Sequence, residues 1–485
     1  MSTEFYGVDA TLIQSVGSTP VNTDTNIIFI GSAAGGELNK AHLITSMSDY
    51  ASILGGAPGD GYNLTEAAIA AFQIAGINKC YMIPVSHSLT LNTSDYTGDP
   101  AQYTGVYAID KLLMDNPTAV NIICAPSIVD DEIIAALDGV AKLAAGHWRS
   151  FLMYDVEESA AQINSKFVVQ PAQIVSLKQL ADGYALAVWG HIKTSGGYVI
   201  SGAALRACLQ AVSDSDYSAP ARSGGNLQIP AIQGICIALD DEEFESDSFG
   251  TSPSTAWSVK NLEVDSTTID YKDDYEYAIE GVEATTGEIS DDSTIINNSG
   301  KVALRFKVPG DTALSGCVVT VSMTYKHPLV TIPESAATQL SADGICSYIY
   351  YGNGIYHTWG DHPSIFAGGT VTDQRDRFDN SIRMLMMITN RFQLAHRFEV
   401  DNPMTLGMRN DIINEELDYL NSLKAIGAIV GEPVVEFRED RNSTENLQQG
   451  RFVWSVECTP TIPAKYLKAE VAYSAAGLSS YIEQE

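Results

Sequence analysis

The sequence predicts an α/β fold, α+β over its whole length and divided into several units, and three textures along the chain carry that prediction. From Asn26 to Trp189, short apolar runs alternate with segments of helix length, which points to a mostly parallel sheet covered on both faces. Between 240 and 333, strand-like pieces lie among Gly, Pro and Asn turns in a strongly acidic stretch. Beyond 335, longer helices return between strands. The 485 residues, 45% of them hydrophobic and 18% charged, suffice for several cores and exclude wholesale disorder.

Taken in order, residues 1–22 read as an extended N-terminal arm. The stretch 7–13 alternates weakly before Gly17, Pro20 and a run of Thr, Asn and Asp break the pattern. An α/β core is expected over 23–239. Ile27, Ile28, Phe29 and Ile30 form a buried-strand run closed by Gly31, and a helix is expected from Asn63, with Glu66 completing a capping box, to Gly76. Strands are expected at 80–85, 120–124, 151–154 and 185–189, with helices at 106–115, 130–145 and 174–181. The acidic stretch, 240–333, is expected as an inserted, outward-facing β-rich domain. From Asp240 to Gly300 it holds 17 Asp and Glu against two Lys, about half of the whole chain's net charge. A C-terminal α+β domain is expected over 334–465, with a strand at 348–351, helices at 376–393 and 404–425, and strands at 433–437 and 452–456. Residues 466–485 form a second arm of mixed apolar and polar residues.

Charge narrows the partners. Twenty-eight Lys and Arg against 60 Asp and Glu give a net −32, a field that repels phosphate, so direct nucleic-acid binding is not expected. No run approaches the roughly 20 apolar residues of a membrane helix, so no membrane insertion is expected. The first residues carry neither the basic flank nor the apolar run of a secretory signal, and folding in the cytoplasm is the expectation. Seven cysteines without CxxC spacing argue against a zinc site and against a secreted disulfide framework. Cys80, Cys124 and Cys236 lie in apolar runs and read as core. Cys317, Cys346 and Cys458 lie in β-like segments nearer to contact surfaces, where oxidation between subunits is conceivable.

No catalytic, cofactor-binding or metal site emerges. The glycines from Gly31 to Gly36 follow a strand as a phosphate loop would, but Glu37 and Leu38 stand where Lys and Ser/Thr are needed, and GxGxxG also fails. They read as a tight turn. His357, Asp361 and His362 lie close together without HExxH or neighbouring cysteines, and read as packing after a strand. The acidic runs Asp240 to Glu243 and Asp291-Asp292 lack EF-hand spacing and read as solvated surface. There is no GxSxG elbow. The reading that follows is non-enzymatic.

Several stretches, taken together, resemble the contractile tail sheath proteins of phages and of related particles such as R-type bacteriocins. One runs from Ile44 through Tyr50 to Gly55-Gly56, on through the 64–72 helix and into 75–85, although Phe72-Gln73 and Ala75-Gly76-Ile77 depart from that family's aromatic pair and turn. A second is 354–361, with Trp359-Gly360-Asp361. The third comprises 375–392, Asp401-Asn402-Pro403, 427–431, then Phe437, Asn442, Gly450-Arg451, Val453 and 463–467. These cover about 23–90 and 340–470, and the acidic stretch lies outside them as an outer insertion peculiar to a lineage.

The resemblance implies a structural subunit of a contractile tail sheath. Such a subunit polymerises with itself, as hexameric rings or a helix, when both arms add strands to sheets of neighbouring subunits. It surrounds an inner tail tube protein, meets baseplate and tail terminator proteins, and contracts to drive the tube through a cell envelope for genome delivery. The implied location is a virion tail, assembled in a bacterial cytoplasm. The sheath of a bacteriocin or injection system is an alternative, and an α/β enzyme with an acidic accessory domain is another of a different class. Arg409 and Lys424, on the C-terminal helices, are candidates for touching an acidic tube, with ordinary helix surface charge as the competing reading.

Overall fold

A computed structural model of the protein describes residues 25–142, 148–158, 161–163, 168–174, 177, 179–229, 232–237, 242–245, 248–264, 267–268, 275–325, 329–352, 354–366, 371–476 and 478. The N-terminal arm, 1–22, lies outside them, as do Asp240, Asp241 and the last seven residues. No described helix is long and apolar enough to cross a membrane.

The centre is a nine-stranded sheet. Its strands in chain order are β1 (Asn26–Ser32), β2 (His42–Ile44), β3 (Cys80–Ser86), β4 (Asn121–Cys124), β5 (Phe151–Asp155), β6 (Ala185–Val188), β7 (Gln228–Ile229), β8 (Ile345–Gly352) and β9 (Ile355–Trp359). Their order across the sheet is β7-β9-β8-β6-β5-β4-β1-β3-β2. β1 is parallel to both β3 and β4, with Ile28 opposite Tyr81 on one side and Ile123 on the other. β4–β5, β5–β6 and β6–β8 are parallel too, and β2, β7 and β9 close the two edges antiparallel. Every residue of β1, β4, β5 and β6 is buried, which is why these strands read as continuous apolar runs. Helix α1 (Gly202–Tyr217), capped by the Ser201 hydroxyl accepting from Ala204 N, lies on the sheet. Its buried Ala203, Ala204, Ala207, Cys208 and Ala211 allow a close approach.

Four local expectations are corrected. Asn63 does not cap its own helix: Tyr62 occupies the N-cap without a side-chain bond, and Asn63 Oδ1 accepts from Ser32 Oγ at 2.7 Å. Glu66 faces inward rather than back to the helix start. The helix expected at 174–181 is not found among the described residues: Ile174 ends a strand, Val169–Ile174, that pairs with Ala161–Ile163, and 177 and 179–181 lie in neither helix nor strand. The strand expected near 348–351 is longer and does not stay with the C-terminal helices. As β8 it pairs with β6 and completes the main sheet, because its apolar residues Ile345 to Ile349 are buried there.

Among the described residues, the acidic segment forms two small sheets with their own core and a short two-stranded pair, Glu263–Val264 with Thr267–Thr268. Leu314–Tyr325 pairs with Glu242–Glu245, Phe249–Thr251 and Tyr275–Glu283, and Lys301–Val308 pairs with Ser254–Asn261 and Thr294–Asn298. Between them lie Leu262, Val302, Leu304, Phe306, Leu314, Cys317, Val319 and Val321. The charge stays outside: Glu280 accepts from Ser322 Oγ at the surface, and Asp292 from Ser290 Oγ.

The C-terminal part consists of α2 (Asp379–His396), α3 (Leu406–Ala425) and an antiparallel pair, β10 (Ile429–Glu436) and β11 (Ser455–Pro460). Met384, Met387, Leu420, Leu423, Ile429 and Val435 pack together and against Ala119, Val120 and Ala219 of the α/β part. Inside this pack the buried Glu416 takes Arg391 Nη1 and, at 2.6 Å, His396 Nε2.

Candidate assembly interface

Two places could carry function: the crevice at the carboxyl ends of the parallel strands and the free edges at the C-terminus. Parallel α/β sheets bind ligands where strand order reverses, here between β1 and β4. A cleft of about 780 Å³ opens at that point, lined among others by Ser32, Asn63, Glu66, Ser127, Glu158 and His191. Ser127 follows β4 with φ +56°, His191 Nε2 is 3.0 Å from its hydroxyl, and His191 Nδ1 is 2.7 Å from Glu158. The connectivity resembles a nucleophilic triad, which no sequence motif signalled because the three residues are far apart in the chain.

The protons argue against that chemistry. Ser127 Oγ donates to Glu66 Oε2 at 2.5 Å, so His191 Nε2 must donate to Ser127, and Nδ1 donates to Glu158. An imidazole donating from both nitrogens is protonated. Burial pulls its pKa down, but the attraction of Glu158, Asp155 and Glu66 outweighs this and lifts it to about 10. Glu66, raised by burial and held back by His191, sits at about 7. Asp155 accepts Ser127 N, Ser201 Oγ and Ala203 N. With its imidazole already charged, His191 cannot serve as the base of a triad, and the cluster ties β4, β5 and α1 together. The Gly31 to Gly36 turn borders the same region. Gly36 has φ +95°, and a Cβ there would stand 2.4 Å from Leu54 Cδ2, so the turn packs on a helix end.

The other sites weighed from sequence are dispersed. His362 stacks on Phe366 at 3.8 Å and bonds Arg377 O at 2.7 Å, whereas His357 packs edge-on against Tyr351 at 4.8 Å. Among the described residues no group of three His, Cys, Asp or Glu is placed to hold a metal. Cys317 and Cys346 are buried rather than near a contact surface, and only Cys458 on β11 is half-exposed. Arg409 and Lys424 stand near opposite ends of α3. Arg409 bonds Asn410 and lies 5.6 Å from the Phe437 ring, and Lys424 pairs with Glu432 at 2.5 Å.

The C-terminal edge is a different kind of surface. β10 and β11 pair only with each other, so among the described residues both outer edges are open. After β11 the chain runs exposed. Leu467, Ala469, Val471 and Tyr473 alternate with Lys468, Glu470, Ala472 and Ser474, a strand pattern with one apolar face. Yet 462–474 is in no sheet, and Leu467, Val471 and Tyr473 are 87%, 93% and 84% exposed. A strand-patterned segment with its apolar face in water and a two-stranded sheet with open edges are complementary surfaces, and the described residues leave both unsatisfied.

A family model described as the N-terminal domain of DUF2586 matches residues 6–175. No curated protein matches the chain. Among solved structures it is similar to the helical sheath of the anti-feeding prophage in its contracted state, at 12% identity and TM-score 0.56 over 97% of this chain and 99% of that one. The contracted PVC sheath complex of an extracellular contractile injection system is equally similar, at 12% identity and TM-score 0.56 over 98% and 99%. A six-fold symmetrised anti-feeding prophage baseplate structure matches at 12% and 0.56 over 97% and 98%. At such low identity the likeness is one of fold: this chain folds as those sheath structures do.

Proposed function

We propose that this chain is the structural subunit of a contractile sheath, which polymerises around an inner tail tube and contracts to drive the tube through a target envelope. The observation that carries the reading is the exposed segment 467–474, alternating like a strand, beside the open β10–β11 pair. Strand addition joins subunits through main-chain bonds, which tolerate sequence variation and survive rearrangement of the bodies they link. At about 1 kcal/mol per bond, a join of about five bonds contributes roughly 3–7 kcal/mol.

In this reading residues 1–22 form the second exchanged arm, the 240–333 domain faces outward, and α3, with Arg409 and Lys424, faces the tube. The body comprises 23–239 and 334–465, which share one sheet through β8 and β9, and 466–485 is the C-terminal arm. Baseplate and terminator proteins cap the ends of the polymer, and the particle tail is its location. Contraction needs no nucleotide, since it releases the free energy stored in one of two lattice packings.

The arms are the test. A chain lacking 1–22 and 466–485 is expected to remain folded and to sediment as a monomer under conditions where the full chain sediments as large polymers. Regular polymers of the truncated chain would refute the reading.

A further inference from the structure

The C-terminal arm does not simply trail from β11. Thr461 N donates to Ala428 O at 3.1 Å, its Oγ1 to Gly427 O at 2.6 Å, and Asn380 Nδ2 donates to Thr461 O at 2.7 Å. Four residues on, Lys465 Nζ reaches the carboxylate of Asp361, which is fully buried, while the lysine's own side chain stays 40% exposed. The other oxygen of Asp361 accepts from Ser223 Oγ at 2.5 Å. Beyond Lys465, Lys468 pairs with Glu470 at 2.5 Å and Ala476 N donates to Ser474 Oγ at 3.3 Å.

Asp361 belongs to a larger buried layer between α1 and α2. Asp379 N donates to Asp361 O at 2.9 Å, and the Asp379 carboxylate takes Arg206 Nη2 and Gly224 N, both at 3.2 Å. Farther along the same helices Arg383 Nη1 meets Asp214 at 2.5 Å, and Gln210 bridges Asp214 Oδ1, at 2.9 Å, to Arg222 O. Asp214 also accepts from Thr25 Oγ1 at 3.4 Å, and the next residue, Asn26, donates its N–H to Val120 O at 2.8 Å. The roots of both termini, 440 positions apart in the sequence, thus attach to one layer of buried charge.

We propose that this layer is the joint that fixes both arms to the body of the subunit, with Lys465–Asp361 pinning the C-terminal arm and Thr25–Asp214 the N-terminal one. A buried carboxylate stripped of its cation is strongly unfavourable, so Lys465 stays seated and the free arm begins at Tyr466. Pull applied through one arm then reaches the other through α1 and α2 rather than through the outer domain. The arms take this role from the sheath reading, but the joint itself can be tested on the unassembled chain.

Trypsin cleaves after both Lys465 and Lys468, and only Lys465 is engaged in a buried pair. In the folded, unassembled full-length protein, cleavage after Lys465 is expected to be at least tenfold slower than after Lys468. Asp361→Asn, which keeps a partner for Ser223, is expected to erase that difference, and Lys465→Arg to keep the arm protected. Asp214→Asn, which touches neither Lys465 nor Asp361, is expected to speed cleavage after Lys465 severalfold, because the layer passes the loss on. Equal rates at the two lysines in the wild-type chain overturn the pin and need no variant to fold. An Asp214→Asn chain with wild-type cleavage makes the two anchors independent and overturns the joint. Tube formation is scored separately: a chain that shows the cleavage pattern and forms no polymer even with its cognate tube protein overturns the sheath reading and leaves the joint standing.

Discussion

The carboxyl group of Glu66 accepts the hydroxyl of Ser127 at 2.5 Å across the carboxyl ends of β1 and β4. The same oxygen accepts Ser201 N at 2.8 Å, so Glu66 joins its own helix to the start of α1. Burial raises its pKa from the ordinary 4.5 to about 7, while the surrounding carboxylates raise that of His191 from 6.5 to about 10 against its burial.

Both shifts are upward, and the linkage has one sign. The folded state holds each proton more tightly than the unfolded chain, so each contribution is full below the unfolded pKa and is lost as pH rises through the folded one. For Glu66 the window is pH 4.5 to about 7, and for His191 it is 6.5 to about 10. Glu66→Gln is expected to flatten the fall of the urea midpoint in the lower window and, by removing one of the carboxylates that raise His191, to narrow the upper one. An unchanged slope between pH 4.5 and 7 would show that Glu66 does not titrate there.

Gly36→Ala places a side chain at φ +95° with its Cβ 2.4 Å from Leu54 Cδ2. A loss of about 1–3 kcal/mol is expected by denaturant unfolding. Wild-type stability would mean that the turn at the end of β1 can relax freely.

Removing Glu416 leaves Arg391 and His396 without their shared buried carboxylate. Glu416→Ala is expected to cost about 3–5 kcal/mol, read as a lowered unfolding midpoint of the C-terminal part. A change under about 1 kcal/mol would place that pair among screened surface contacts.

In assembled polymers, limited proteolysis is expected to cut within 245–300, because turning a stretch this acidic toward the tube would desolvate many carboxylates. Protection of that stretch would place the acidic domain inside the wall.

Much of the fold was legible because parallel strands buried on both faces leave uninterrupted apolar runs, as at Ile27 to Ile30 and Ile122 to Cys124. Local helix signals misled where a side chain had a distant use: Asn63 and Glu66 look like a capping box but bond to Ser32, Ser127 and Ser201. The strand Val169–Ile174 was hidden because pairing rather than spacing decides its conformation. β8 was placed with its chain neighbours because no local feature encodes parallel pairing with Ala187 and Val188, some 160 residues earlier. The alternation at 467–473 was visible in the sequence, though it stood out only because the described structure leaves that segment outside any sheet. The arm joint had no sequence signal at all, since Lys465 and Asp361 are 104 positions apart and each alone is an ordinary charged residue.

The central claim is that the chain builds a hollow helical wall, and electron microscopy of the concentrated full-length protein, alone and with its cognate tube protein, tests it most directly. Long striated tubes that form without nucleotide are the result predicted here. Uniform small particles that persist even with the tube protein present would contradict the sheath reading.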